Sequence, residues 1–322
     1  MFLPLKDNLP KASFPMMTFV LIALNIAVYL MASSTPMAAT NAAILYGVIP
    51  YELMHSGVQC VPVENMTAMA CGTTAEIQAI YPGIDLPPTW LTVGTSMFLH
   101  GGLAHLIGNM LFLFVFGGAL ENALGRLSFL LFYVVGGTAA VLGQTLWDTG
   151  SPIPMVGASG AIAAVLAAYL VLFPSAKVWS LFIIFPVHIR AVWVLGTWLV
   201  MQILLAWESA GAGQSGGVAV WAHLGGFAAG AALTYVLVNR DEIAGFRRSA
   251  RVAGGLFVDQ IDPPHGSAQS PEVAAVPAGQ RYVAPHPAQQ SQPVQPQQFV
   301  RAPMPARDPF APPQQASQQA TG

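Results

Sequence analysis

The sequence predicts an all-α, polytopic membrane protein: a bundle of six transmembrane helices whose fourth helix is short and starts within the membrane. Three observations predict it. Of 322 residues, 54% are hydrophobic and only 8% charged, with a mean hydropathy of +0.57, far from the composition of an average globular chain. Six apolar stretches alternate with polar or Pro/Gly-rich segments. With six spans and an inward N-terminus, all 12 Lys and Arg residues fall on one side, as cytoplasmic segments require.

Residues 1–13 are expected to be a short cytoplasmic N-terminus carrying Lys6 and Lys11, and the first span follows over Met16 to Met31. A basic start before an apolar run also describes a secretory signal, but this run exceeds the usual core of one, and an uncleaved span keeps the later charges consistent. The external first loop, about 33–97, has Glu52, Glu64, Glu76 and Asp85 but no cation, and is long enough for short interfacial helices. Its Cys60 and Cys71 are open to two readings, one disulfide in an oxidising compartment or two free thiols, and neither has the spacing of a zinc site.

The remaining spans are read at His100 to Leu120, Leu127 to Trp147, Ser159 to Phe173, Ala191 to Trp207 and Val218 to Val238. Between the fourth and fifth, Val178 to Pro186 is apolar but too short to span, so an interfacial or re-entrant piece is expected. The six-span domain is thus 14–240. A basic juxtamembrane segment, 241–252, contains Arg247, Arg248 and Arg251 and is expected to rest on anionic head groups. Residues 253–322 are rich in Pro, Gln and Ala and read as a disordered cytoplasmic tail, passively solvated or recruiting partners. No internal repeat is present.

The fourth span points to chemistry. From Ser159 to Phe173 it measures roughly 22 Å at the usual helical rise, against a hydrocarbon core of about 30 Å. The segment feeding it, 150–154, holds Gly150, Pro152 and Pro154 and cannot be helical. Irregular backbone at membrane depth survives only when buried in protein or lining a water-filled cavity, so Ser159 is expected in a wet pocket. His105 and Asn109 lie four apart on one face of the second span. Counted at about 1.5 Å per residue, Ser159, His105 and His223 come to nearly one depth, with Asn109 a turn further in. Such groups are costly in lipid unless they face protein or water, so together they predict a site and not merely a packing network.

A serine needs a base to take its proton, and a neutral imidazole is the usual one. Ser159 and His223 supply the pair if the fourth and sixth spans touch, and both carry small residues for close approach: Gly160, Ala161, Ala163 and Ala164 on one, Gly226 and Gly230 on the other. No acid lies near that depth, since Glu121 is at an inner end and Asp148 and Glu208 are at outer ends. A dyad is therefore expected, not a triad. Oxyanion donors would be the Ser159 backbone N–H at a helix N-terminus and the side chains of His105 and Asn109.

These residues resemble the rhomboid intramembrane serine proteases. The resemblance rests on HGGLAHLIGN from His100 to Asn109, ENALGR from Glu121 through Gly125 to Arg126, GASG from Gly157 to Gly160, and AHLGG from Ala222 to Gly226 with Gly230, and covers roughly 14–240. It implies Ser159 as nucleophile, His223 as general base, His105 and Asn109 as the oxyanion hole, and cleavage of transmembrane segments near their outer ends. Two departures stand out. The Trp-Arg pair found in the first loop of many members is absent, and Ala163 stands where some members place an aromatic ring against the catalytic histidine. Positioning of His223 must then come from elsewhere.

The expected function is a rhomboid-type serine endopeptidase without metal or cofactor. Its partners would be transmembrane protein substrates and the lipid bilayer, with no nucleic acid. Substrates with helix-weakening Gly or Pro near the cut would be preferred. A multi-pass protein of a bacterial inner membrane, both termini cytoplasmic, is the expected location. The rivals are a catalytically inactive rhomboid-like protein that binds membrane clients, and a small transporter or channel.

Overall fold

Backbone amides in a hydrocarbon setting must be satisfied within the segment, so the apolar stretches become helices, and Pro and Gly mark where they stop. The computed structural model describes residues 2–10, 13–63, 68–212 and 219–259. Strand β1 (Phe2–Asp7) precedes α1 (Met16–Ala32), α2 (Pro36–Tyr46) and α3 (Pro50–Met54). Strands β2 (Val58–Val63) and β3 (Ala68–Thr73) then lead to α4 (Thr74–Ile80) and α5 (Thr89–Thr95). Helix α6 (Leu103–Phe112) runs through a π-helical segment, Leu113–Gly117, into α7 (Gly118–Leu124), and α8 (Arg126–Trp147) and α9 (Ser159–Leu172) follow. Strands β4 (Lys177–Phe182) and β5 (Phe185–Arg190) separate α9 from α10 (Ala191–Ala212), α11 (Val220–Leu237) and α12 (Arg240–Asp259).

Among the described residues, four helices are long and apolar enough to cross a membrane: Leu103–Leu124, Arg126–Trp147, Ala191–Ala210 and Val220–Leu237. Two apolar helices, α1 and α9, are shorter. The second span starts at Leu103, so His100 precedes the helix that was expected to contain it.

Helix α9 is buried along most of its length, in the middle of the helical bundle. Its neighbours reach it through glycine. A methyl group added at Gly226 would run into the carbonyl oxygen of Gly160, and one added at Gly230 into the backbone of Ala164. One added at Gly143 of α8 would stand 3.0 Å from the Cα of Gly225. In lipid no hydrophobic force draws helices together, so this backbone-on-backbone van der Waals contact holds α8, α9 and α11 in place.

Glu121 is buried at 3% exposure and accepts from the backbone N–H groups of Met17 (3.0 Å) and Thr18 (2.8 Å) and from the Thr18 hydroxyl. It thereby satisfies free amides at the start of α1, a role its carboxylate suits because helix N-termini are electropositive. Gly125 separates α7 from α8, and Arg126 opens α8 with an exposed side chain.

Two small sheets amend the all-α expectation to a mostly helical fold. In the loop after the first span β2 and β3 pair antiparallel with Cys60 opposite Cys71, and the two sulfurs are bonded, so of the two readings the disulfide holds. Glu64 of that loop lies outside the described residues. The apolar stretch Val178 to Pro186 is a β-hairpin with a two-residue turn at Ile183 and Ile184, and β1 adds to it in the order β1-β4-β5. Its β-branched and aromatic residues suit a strand, and Pro186 would interrupt a helix running on into α10.

Helix α12 contains the basic segment expected over 241–252. Ile243, Phe246 and Ala250 turn toward the core, and Arg247 Nε donates to the Val171 carbonyl (2.8 Å), capping the end of α9. The rest of the expected tail, 260–322, lies outside the described residues.

Candidate active site

Ser159 is the first residue of α9, and the loop before it is shaped by its surroundings. Val48 pairs with Met155, and the Gly157 N–H donates to the Ser96 carbonyl (2.8 Å). Gly157 has φ +132°, which L side chains rarely adopt. A methyl group there would also stand 2.8 Å from His105 Cε1 and 3.6 Å from Ser159 Oγ. Glycine at this point lets the His105 ring and the Ser159 hydroxyl share one space.

The close contact of α9 with α11 brings His223 Nε2 to 2.8 Å from Ser159 Oγ. The other ring nitrogen, Nδ1, lies 2.8 Å from Oε1 of Gln202 on α10. An amide oxygen only accepts, so Nδ1 carries the proton and Nε2 presents its lone pair to the serine hydroxyl. Gln202 is 4% exposed and reaches the imidazole from the side opposite Ser159. One turn earlier, the Trp198 ring lies 6.1 Å from that of His223, tilted by 43°. The aromatic neighbour that Ala163 does not provide comes from α10 instead.

Neither Gln202 nor Trp198 was anticipated. The signal was present: an amide inside an apolar span is costly unless it meets a partner, and residues 198 and 202 share a helix face. What the sequence lacks is the pairing of α10 with α11.

On the other wall, Asn109 Nδ2 donates to His100 Nε2 (2.9 Å), and the His100 ring meets that of His105 edge-on at 5.1 Å. His100 therefore holds Asn109, while the His105 ring stands at the mouth. Gln144 of α8 accepts from the Ala222 N–H (3.3 Å), satisfying an amide in the first turn of α11. Around these groups lies a cavity of about 470 Å³, lined among others by His105, Asn109, Ser159, His223, Phe112 and Trp198. Its walls come from α6, α9, α10 and α11 and from the loop before Ser159. The arrangement provides a hydroxyl, a base, a fixed tautomer and polar donors around one space, the elements of acyl transfer.

Comparison with known proteins gives a consistent result. The model of the Rhomboid domain matches residues 87–240, a stretch that holds Ser159, His223, His105, Asn109 and Gln202. The chain is 34% identical over 147 residues to "Rhomboid protein 1, mitochondrial" of Saccharomyces cerevisiae, covering 44% of this chain and 40% of that protein. It is 30% identical over 155 residues to "Putative rhomboid protease YdcA" of Bacillus subtilis, covering 48% of this chain and 70% of that one. With "Rhomboid protease AarA" of Providencia stuartii the identity is 34% over 101 residues, 27% of this chain and 36% of the relative. The match thus spans less than half of the yeast and Providencia proteins.

Proposed function

The chain belongs to the rhomboid family, and on that premise we propose that it is an intramembrane serine endopeptidase, hydrolysing peptide bonds in or beside transmembrane segments of other membrane proteins. The observation that carries this reading is the imidazole of His223 set between the Ser159 hydroxyl and Gln202, at 2.8 Å from each.

In the proposed reaction Ser159 Oγ attacks the scissile carbonyl as its proton passes to His223 Nε2. The carbonyl oxygen becomes an oxyanion, met by the Ser159 N–H at the start of α9 and by the side chains of His105 and Asn109. Collapse expels the amine, which takes the proton from Nε2, and leaves an ester on Ser159. Water, deprotonated by the same nitrogen, hydrolyses that ester and restores the hydroxyl. Gln202 holds Nδ1–H throughout, so it is a positioning residue.

Substrate reaches the cavity laterally between α6 and α10, whose Phe112 and Trp198 line it. The short helices α1 and α9 complete six spans, α9 starting below the surface because the loop before it lines water. On this reading both termini are cytoplasmic and the membrane is a bacterial inner membrane; the absence of cations from the first loop supports the orientation.

The test is cleavage of a model transmembrane substrate by purified protein in liposomes, alongside labelling by a fluorophosphonate. Ser159→Ala and His223→Ala should each abolish turnover, a loss of about 10⁴-fold or more, with melting unchanged. A native protein that neither cleaves nor labels would be a client-binding relative, and the protease reading would fall.

A further inference from the structure

The β4–β5 hairpin ends in four consecutive large apolar residues. Phe182, Ile183, Ile184 and Phe185 are 43, 76, 74 and 65% exposed. The end of β1 lies beside them, with the Phe2 ring 5.0 Å from that of Phe182 and Leu3 paired to Leu181. At the opposite end of the sheet stand exposed Lys6, and Lys177 paired with exposed Arg190. Apolar and basic residues are thus sorted to the two ends of one small sheet. Water gives no reason for such a tip, since an exposed apolar patch of this kind ordinarily marks a contact surface.

The turn supplies an independent observation. Ile183 has φ 59°, the one positive φ at a non-glycine position among the described residues. It is the first residue of a two-residue hairpin turn, where glycine is favoured and a β-branched side chain is strained. A turn chosen for backbone comfort would not hold two isoleucines. Something rewards apolar side chains at this tip.

Its place in the fold identifies what. β5 passes directly into α10 at Ala191, and β4 starts soon after α9 ends at Leu172, so the base of the hairpin sits where one apolar helix ends and the next begins. Strands of this length reach about 20 Å, enough to lie along a membrane surface with the tip among acyl chains. Trp179, also exposed, has the amphipathic ring favoured at that boundary, and Lys6, Lys177 and Arg190 suit anionic head groups.

We propose that the β1-β4-β5 sheet is a monotopic membrane anchor, its Phe182–Phe185 tip inserted into the leaflet at the end of the bundle where α9 terminates. This assignment stands independently of catalysis.

The chain has two cysteines and both are in the Cys60–Cys71 disulfide, so Ile184→Cys introduces a single thiol for an environment-sensitive fluorophore. In phosphatidylethanolamine/phosphatidylglycerol liposomes, emission should be blue-shifted and quenched at least threefold more by nitroxide-bearing lipid than by aqueous iodide. Equal or greater quenching by iodide would overturn the proposal. So would a blue shift that vanishes on dilution of the protein into excess lipid, which would assign the tip to a second copy of the chain. A second variant guards against a merely structural effect: Ile183→Gly with Ile184→Asn suits the same turn and should keep the sheet. A probe at Phe185→Cys in that background should become several-fold more accessible to iodide, and unchanged access would count against the anchor.

Discussion

Helices α10 and α11 both serve the same imidazole, yet they are built in opposite ways. α11 carries His223 and lies against α9 and α8 through Gly225, Gly226 and Gly230, where added methyl groups would strike neighbouring backbone. Its exposed large apolar residues, Tyr235, Val236 and Leu237, are confined to one end. α10 carries Gln202 and turns Trp193, Val200, Ile203, Leu204 and Trp207 outward along its length. At Gly196 an added methyl group would meet nothing within 4 Å. The base is mounted where backbones touch and cannot yield, while the group that orients it rides on a helix with room beside it. That division suits the proposed protease, which would hold its reacting atoms fixed while admitting a substrate helix from one side.

The largest effect tests the rigid half. Gly230→Ala places a methyl group inside the Ala164 backbone contact, and no rotamer relieves it. It should cost more than about 3 kcal/mol, read as a lowered melting temperature in detergent. Gly226→Ala should do the same and also lower turnover, because it displaces Gly160, the residue after Ser159. Unchanged melting in both variants would dissolve the contrast between the two helices.

Next comes the link between them. Gln202→Leu removes the acceptor that fixes the His223 tautomer and should reduce kcat by about 10- to 100-fold with little change in KM. Fluorophosphonate labelling of Ser159 should slow by the same factor, whereas a purely structural role would lower melting and leave the labelling rate of the folded fraction intact. Gln202→Glu retains an acceptor and should recover most of the activity.

Why Gln202 and Trp198 were hidden in the sequence, when Ser159, His105 and His223 were not, follows from where the information lies. Ser159, His105 and His223 were placed at one depth by helical rise and bilayer thickness alone, both of which are local quantities. Gln202 gives the same local signal as Gln144, yet one meets His223 and the other the Ala222 amide, and only helix pairing tells them apart. The hairpin was obscured for a similar reason. A short apolar stretch fits a strand as well as a re-entrant turn, and what decides is β1, whose Leu3 pairs with Leu181 across most of the chain. Cys60 and Cys71 likewise required the β2–β3 register.

A smaller effect asks whether the rigid half extends outward into the loop above the site. Glu52 of α3 accepts from the Cys60 N–H (2.7 Å), and α3 is tied to the loop before Ser159 by the Tyr51 N–H donating to the Ser151 carbonyl. Burial raises its carboxyl from the usual 4.5 to about 7, with the Cys60 bond opposing the rise. Between those values the folded loop binds more protons than the unfolded one, so its stability declines as pH rises from about 4.5 to 7 and levels off above. The decline should stay below roughly 2 kcal/mol, given partial solvent screening. Hydrogen-exchange protection at α3 and β2, taken relative to the intrinsic rate at each pH, should fall across that window in the native protein, and Glu52→Gln should flatten the profile.

The smallest effect probes the loose half directly. Gly196→Ala adds a methyl group to open space and replaces the poorest ordinary helix former with the best. In water that exchange stabilises a helix by roughly 0.5–1 kcal/mol, and in a bilayer the gain is smaller because the unpacked span stays helical. Melting should therefore rise slightly or stay put, opposite in sign to Gly230→Ala although the substitution is the same. Activity separates two ways in which α10 could give way to a substrate. If it shifts as one body, turnover is untouched. If it bends at Gly196, just before Trp198 and Gln202, the stiffer helix slows cleavage of a transmembrane substrate while leaving fluorophosphonate labelling unchanged, since the small probe needs no opening. A drop in melting as large as that of Gly230→Ala would mean that α10 is packed as closely as α11, and the distinction between the helix that holds the base and the one that orients it would fail.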